Sequence, residues 1–162
     1  MRVLLCVNEC QSSLQVLNWY LNQLHQSEHH VSIVNVYQKP KVRYVSPYGP
    51  LVSGSFMRTD KYTDEKQLVT QVQTISAKIT AKFRDVCAQK CIKVQEFNIA
   101  KTDDIGQSIV KLAEEIRADE IIMGVGCAGV IRRTIFGSVQ DQVLRHTNLP
   151  VLIIPTIPTS NI

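Results

Sequence analysis

A short stretch late in the sequence combines the residue types that bind phosphate groups. Its members are, in chain order, the apolar segment Ile121 to Met123, Gly124, Gly126, Gly129, Arg132, Arg133 and the pair Gly137-Ser138. Glycines let the backbone approach an anion, and a helix N-terminus supplies unpaired N–H donors with partial positive charge. The order strand, glycines, cations and helix start therefore predicts an anion site.

The same glycines also match the dinucleotide-binding fingerprint, Gly-x-Gly-x-x-Gly, at residues 124, 126 and 129. That fingerprint normally follows the first strand of its fold, with an acidic residue about 20 positions later. Here the glycines follow the fourth predicted strand, and the corresponding positions, Thr147 to Leu149, carry no acid. The context argues against an NAD site.

Composition limits the classes of protein that remain. The 162 residues suit a single domain, 44% of them are apolar, and the net charge is +4. The charge is too small and scattered to predict nucleic-acid binding, and the run Val3 to Val7 is too short for a membrane span or a signal peptide. Five cysteines without paired spacing suggest a reduced, cytosolic chain.

Strand and helix patterns alternate along the chain, which predicts a three-layer α/β sheet. The predicted strands are Arg2 to Val7, Val31 to Tyr37, Ile92 to Ala100, the segment ending at Met123, and Val151 to Ile154. A shift in the apolar phase of the third strand favours an edge position or a bulge.

Four helices are predicted between these strands from apolar spacing and capping residues. Their signals are Ser12 or Ser13 before Leu14, Leu17, Leu21 and Leu24; Asp64 and Glu65 before Leu68, Val72, Ile75, Ile79, Phe83 and Val86; Asp103 or Asp104 before Ile105, Ile109, Leu112 and Ile116; and Ser138 to Arg145. Residues 38–60 have no clear period and contain three prolines and two glycines, so they predict an irregular loop, either a surface excursion or a lid over the site.

The block that begins at Gly124 resembles the universal stress protein family. That family carries Gly-x-x-Gly after its fourth strand, then nine residues, then Gly-Ser or Gly-Thr. Gly124 and Gly137-Ser138 match the motif, whereas Cys127 stands in place of its second glycine. The resemblance extends over nearly the whole chain, and we expect residues 1–162 to form a single domain of this type. It implies a Rossmann-like open parallel sheet of five strands in the order 3-2-1-4-5 with four helices. Strands 1 and 4 would then be neighbours at the switch point, where such sheets bind ligands.

The resemblance also implies the ligand, ATP or AMP, with or without Mg²⁺. Asn8 stands where ATP-binding members have an aspartate that holds the ribose hydroxyls, and Val36 matches the position whose backbone contacts adenine. The complete set of expected nucleotide-binding residues is Val7, Asn8, Val36, Met123, Gly124, Gly126, Cys127, Gly129, Arg132, Gly137, Ser138 and Val139.

Several of these residues also have structural interpretations. Asn8 is equally suited to be a simple turn residue. Ser138 and Asp141 fit a capping box, and Arg132 fits a solvated turn. Cys6 and Cys87 fit the core, whereas Cys127 lies in a donor-rich loop of the kind that lowers a thiol pKa, which leaves a redox role open.

We therefore expect a small cytosolic adenine-nucleotide-binding protein of universal stress protein type, with a role in stress response or signalling. Turnover should be slow or absent, because Glu9 is the one carboxylate in the two loops that face the switch point. The alternatives are a slow nucleotide hydrolase and a nucleotide-free dimeric interaction module. An apolar edge strand at Val151 to Ile154 predicts a homodimer through that strand.

Overall fold

The computed structural model describes residues 1–38, 65–101, 104–125 and 138–155. Within these ranges, strands and helices alternate strictly. Their bounds are β1 (Arg2–Cys6), α1 (Gln11–Gln23), β2 (His30–Gln38), α2 (Glu65–Gln89), β3 (Val94–Lys101), α3 (Ile105–Glu115), β4 (Glu120–Gly124), α4 (Ser138–His146) and β5 (Val151–Ile154). Of the loop predicted at residues 38–60, Gln38 closes β2 and the remainder lies outside the described ranges.

The strands form one parallel sheet in the order β3-β2-β1-β4-β5, which confirms the predicted fold class and strand order. β1 lies at the centre, where Leu5 pairs with Ile33 of β2 and with Ile122 of β4. All three side chains are fully buried, as expected for continuous apolar strands covered on both faces. β3 occupies an edge and pairs with β2 in an unbroken register, so its irregular apolar phase reflects the edge position and not a bulge.

Successive residues of β1 point into two separate hydrophobic clusters. Leu5 packs in a cluster with Leu17 of α1, and α2 completes that cluster. Leu4 packs in the other with Ile109 of α3, and α4 completes it. Helices α1 and α2 therefore cover one face of the sheet, and α3 and α4 cover the other.

Helix α1 starts earlier than predicted, which corrects the expected cap. Its N-cap residue is Cys10, which makes no capping hydrogen bond with its side chain. Ser13 lies inside the first turn, buried, and its hydroxyl donates to the side chain of Asn8. The prediction that Ser12 or Ser13 caps this helix is wrong. Tyr20, outside the predicted apolar seam, is fully buried, whereas Leu24 at the helix end is 37% exposed.

Helix α2 turns a partly polar surface to the sheet. Ser76 and Thr80 are almost completely buried, while Ile75, predicted to be part of the buried stripe, is 52% exposed. Phe83 is buried as predicted. By contrast, the predicted cap of α3 is confirmed: Asp104 Oδ1 accepts hydrogen bonds from the N–H groups of Gly106 and Gln107 at 2.8 and 3.2 Å. Across the described ranges, no helix has the length and apolarity needed to cross a membrane.

Candidate nucleotide site at the carboxyl ends of β1 and β4

The strand order reverses between β1 and β4, which are adjacent at the centre of the sheet. Chain segments leaving the two strands diverge there, because β1 continues to α1 on one face and β4 continues toward α4 on the other. Open α/β sheets bind ligands in the crevice at such a point. The structure thus places Val7 and Asn8 beyond one strand, next to Met123 and Gly124 at the end of the other.

Val7 is held firmly by β2, although it lies beyond the last residue of β1. Its N–H donates to the carbonyl of Val34 at 2.9 Å, and its carbonyl accepts from Asn35 Nδ2 at 2.8 Å. Asn35 is in turn supported from α2, because its Oδ1 lies 2.6 Å from the hydroxyl of Ser76. This buried contact fixes the position at which the chain leaves the sheet.

Asn8 forms a compact turn with the start of α1. Its Oδ1 accepts from the Cys10 N–H at 3.0 Å and from the Ser13 hydroxyl at 2.8 Å. The Asn8 N–H donates to Ser13 Oγ at 3.1 Å. The interpretation of Asn8 as a turn residue is therefore confirmed. Since the side-chain oxygen is already used twice, the amide offers a ligand the Nδ2 hydrogens, which are donors, instead of the acceptor expected for a ribose hydroxyl.

On the other side of the crevice, α4 is fastened to the end of β4. Gln140, which is 5% exposed, donates from Nε2 to the carbonyl of Gly124 at 2.8 Å. Val125 donates to the carbonyl of Ile154 at 3.2 Å, so the start of the glycine loop is also tied to β5. These bonds hold the N-terminal end of α4 beside β4, and helix N-termini carry free N–H donors that favour anions.

α4 begins at Ser138, as predicted, and Val139 is half-buried against the cluster between α3, α4 and the sheet. The side chain of Ser138 is not among those described. Asp141, its predicted partner in a capping box, accepts from Arg145 Nε at 2.8 Å in a surface ion pair. The negative first turn and the positive last turn of this helix match its dipole.

The structure brings the predicted site residues together only in part. Val7, Asn8, Met123 and Gly124 lie at the ends of the two central strands, and Val36 lies on β2, half-buried and paired with Ile99 of β3. The remaining members of the predicted set fall outside the described residues: Gly126, Cys127, Gly129, Arg132 and Gly137.

Three supporting residues were not predicted from the sequence: Asn35, Ser76 and Gln140. A polar residue inside the apolar run of β2 was the available signal for Asn35. Nothing local in the sequence indicates that its partner is Ser76, 41 residues away.

The cysteines differ from the expectation of a fully reduced chain. Cys10 is disulfide-bonded, whereas Cys6, Cys87 and Cys91 are free thiols. Burial raises the pKa of the Cys6 thiol to about 12 and that of Cys87 to about 11, so both are poor nucleophiles at neutral pH. Both cysteines lie in the core as predicted, because Cys87 is fully buried and Cys6 packs against the hydrophobic cluster beside α3.

Comparisons with known proteins agree with the predicted fold and the predicted family. The Universal stress protein family matches residues 1–155. No curated protein sequence matches the chain. A universal stress protein family structure from Burkholderia pseudomallei has a TM-score of 0.67 and 17% identity, with 96% of each chain covered.

Two further similar structures are complexes with a nucleotide. A universal stress protein family protein from Arabidopsis thaliana with AMP bound has a TM-score of 0.60 and 16% identity, and the match covers 98% of this chain and 93% of that one. The universal stress protein from Archaeoglobus fulgidus in complex with dAMP has a TM-score of 0.58 and 18% identity, and the match covers 94% of this chain and 96% of that one. Since the family match spans residues 1–155, this chain belongs to the universal stress protein family.

Proposed function

We propose that this protein binds an adenine mononucleotide, AMP or ATP, in the crevice between the Val7-Asn8 turn and the glycine loop that follows β4. The observation that carries the proposal is the adjacency of β1 and β4, which brings that turn beside Gly124 and the start of α4. The nucleotides named in the Arabidopsis and Archaeoglobus structures, AMP and dAMP, support the same ligand class.

In this proposal the phosphates lie at the N-terminal end of α4, where the N–H groups of Ser138 and Val139 have no partner within the helix. Gly126, Gly129 and Gly137 provide the close backbone approach, and Cys127 and Arg132 lie in the same loop. The adenine contacts the backbone at Val36, near the carboxyl end of β2. Asn8 contributes Nδ2 donors, because its oxygen already serves the turn.

A matched pair of variants tests the site. Gly137→Val places a branched side chain where the backbone is proposed to approach phosphate, so the affinity for AMP should fall at least about tenfold in calorimetry, equivalent to about 1.4 kcal/mol. Leu144→Ala, at an exposed position of α4, is the control and should leave the affinity unchanged. If the unmodified protein gives no binding heat with AMP or ATP at millimolar concentration, the nucleotide-free interaction module replaces this proposal.

We further propose that bound nucleotide is retained and not rapidly processed. Phosphoanhydride hydrolysis needs a positioned water, an acceptor for its proton and charge neutralisation in the transition state. In the turn after β1 the one carboxylate is Glu9, and it is exposed. Within the described ranges, His, Cys, Asp and Glu side chains form no group of three or more that could hold a metal ion. In this proposal, Mg²⁺ would therefore take part of its ligands from the phosphates of the nucleotide. Sustained ATP turnover above about 1 s⁻¹ that disappears in Glu9→Gln would favour the hydrolase alternative.

A homodimer through β5 completes the proposal. β5 lies at an edge of the sheet, and Val151, Leu152 and Ile153 are only half-buried. Such an apolar edge, which has no charge or proline of its own, invites pairing with a second copy. Light scattering should give a dimer mass at micromolar concentration, and Leu152→Lys should shift it to the monomer. A cytoplasmic location and a role in stress response or signalling are part of the same proposal, and they would be tested by fractionation and by growth of a deletion strain under stress.

A further inference from the structure

A cavity of about 200 Å³ lies between the start of α1 and the middle of α2, beside the turn at Asn8. We propose that this cavity is a second ligand site, which binds a small amphipathic carboxylate such as a medium-chain fatty acid. The apolar part of the ligand lies against Leu14, Ile79 and Phe83, and its carboxylate lies at Lys78 and Lys82.

The inner walls of the cavity are apolar and come from both helices. Leu14 of α1 and Ile79 of α2 are half-buried, and Phe83 is 2% exposed. The volume is below the range of about 300–1,000 Å³ that is usual for drug-sized ligands. It therefore suits a short alkyl chain or a single ring.

The outer rim leaves apolar surface in water. Ile75 lines the cavity, and more than half of its surface is exposed, at 52%. It lies one helical turn before Ile79, so the two side chains form a continuous strip along α2. Covering such a strip is favourable because it removes apolar surface from water. An apolar ligand segment along α2 would gain this free energy.

Cations dominate the charge around the cavity. Lys78 and Lys82 are four residues apart, which places both ammonium groups on one side of α2. Both lysines are exposed, and within the described ranges neither forms an ion pair or a side-chain hydrogen bond. Glu9 is the one acid in the lining, so the two cations exceed it by one charge.

This combination selects the ligand class. A neutral apolar molecule would fill the walls without using either lysine. A polyphosphate would meet Glu9 and leave the walls formed by Leu14 and Phe83 without a partner. A single carboxylate on a short apolar body satisfies both parts of the cavity, since charged donors on carboxylates form the stronger class of hydrogen bond.

Calorimetric titration of the full chain with octanoate tests the proposal. Octanol, which has no charge, serves as the second probe. Octanoate should bind with one saturable site, and the double variant Lys78→Gln/Lys82→Gln should weaken it at least about tenfold without changing the weaker affinity for octanol. Lys111→Gln, an exposed lysine on α3 across the sheet, is the matched control and should have no effect. Ile79→Trp should fill the cavity and abolish binding of both probes, in a protein whose circular dichroism spectrum is unchanged.

Three results would overturn the proposal. The first is the absence of saturable octanoate binding, and the second is octanoate binding that the double lysine variant leaves intact. The third is displacement of octanoate by saturating AMP, which would make the cavity part of the nucleotide crevice; we expect the octanoate affinity to change by less than about threefold when AMP is present. Failure of AMP binding alone leaves the octanoate result valid, so the two proposals are tested separately.

Discussion

The hydroxyl oxygen of Ser76 lies 2.6 Å from Oδ1 of Asn35, and this contact joins α2 to β2 inside the protein. The same hydroxyl lies 2.7 Å from Oδ1 of Asn98 on β3. Asn35 also bonds to the segment that follows the central strand β1, because its Nδ2 donates to the carbonyl of Val7 at 2.8 Å. A helix on one face thereby fixes the geometry of the turn that borders the proposed nucleotide crevice.

We expect Ser76→Ala to reduce the free energy of unfolding by about 1–3 kcal/mol, because the single hydroxyl proton is lost and the buried Oδ1 of Asn35 is left without that donor. Denaturation by urea would measure the change. Thr74→Ala is the control: its hydroxyl bonds to the Thr70 carbonyl on the exposed side of the same helix, so its loss should change stability by less than about 0.5 kcal/mol. Equal effects of the two substitutions would contradict a special role for the buried contact.

Gly106→Ala should destabilise the packing between α3 and α4. A Cβ atom at Gly106 would overlap Cβ of Gln142 and come within 3.2 Å of the backbone nitrogen of Val143, neither of which can move without shifting α4. We expect a loss of about 1–3 kcal/mol, the usual cost of overpacking. Gln107→Ala, at the adjacent exposed position, should have little effect. Since α4 also carries Gln140, a weaker affinity for AMP in Gly106→Ala would show that the displacement reaches the crevice.

A cluster of Tyr20, His25 and His29 should make stability depend on pH. The Tyr20 hydroxyl lies 3.2 Å from Nδ1 of each histidine, and one phenolic proton can serve only one of them. Burial and then the neighbouring His29 lower the pKa of His25 below 6.5. The folded state therefore resists protonation, so this contribution to stability is complete above about pH 6.5 and is lost as the pH falls toward the lowered value.

The urea midpoint should thus decrease between about pH 7.5 and about pH 5.5, the range in which histidine titrates. Burial raises the pKa of Glu120, which faces the cluster, so the folded state favours its protonated form. That effect has the opposite sign: stability is gained as the pH falls through the raised pKa of Glu120, and the gain is complete below about pH 4.5. His25→Gln should make the urea midpoint less dependent on pH between about pH 7.5 and about pH 5.5. An unchanged slope in that variant would assign the dependence to other groups.

Alkylation should distinguish the free cysteines. Cys91 is exposed, whereas burial raises the thiol pKa of Cys6 to about 12 and of Cys87 to about 11. Because the thiolate is the reactive form, iodoacetamide should modify Cys91 well before the other two in the folded protein. Mass spectrometry of the peptides measures each site directly, and the same reaction in urea provides the comparison in which the three rates converge. Similar native rates at Cys87 and Cys91 would be incompatible with the packing of α2.

The sequence was sufficient for the architecture, because alternating apolar runs specify strands and helices, and Asp104 marks a helix start by its own short-range bonds. The sequence could not decide whether Asn8 is a turn residue or a ligand-binding residue, because the neighbouring residues in the chain are compatible with both roles. Ile75 was predicted to be buried for a related reason, because it fits the apolar period of α2. Ser76 and Thr80 instead face the sheet, where they bond to Asn35 of β2 and Asn98 of β3, and Ile75 is therefore left exposed. Partners distant in sequence decide such cases, and no local pattern encodes them.

The central position of β1 has a consequence for synthesis on the ribosome. Its partner on one side, β2, follows within 38 residues, but its partner on the other side, β4, begins only at Glu120. At translation rates of about 5–20 residues per second, one edge of this buried strand stays uncovered for roughly 4–16 s after β2 has emerged. During that interval the nascent chain offers an unpaired strand to any other chain nearby. We therefore expect chaperone binding to be strongest on ribosomes stalled between β2 and β4 and to decline once residue 124 has left the exit tunnel.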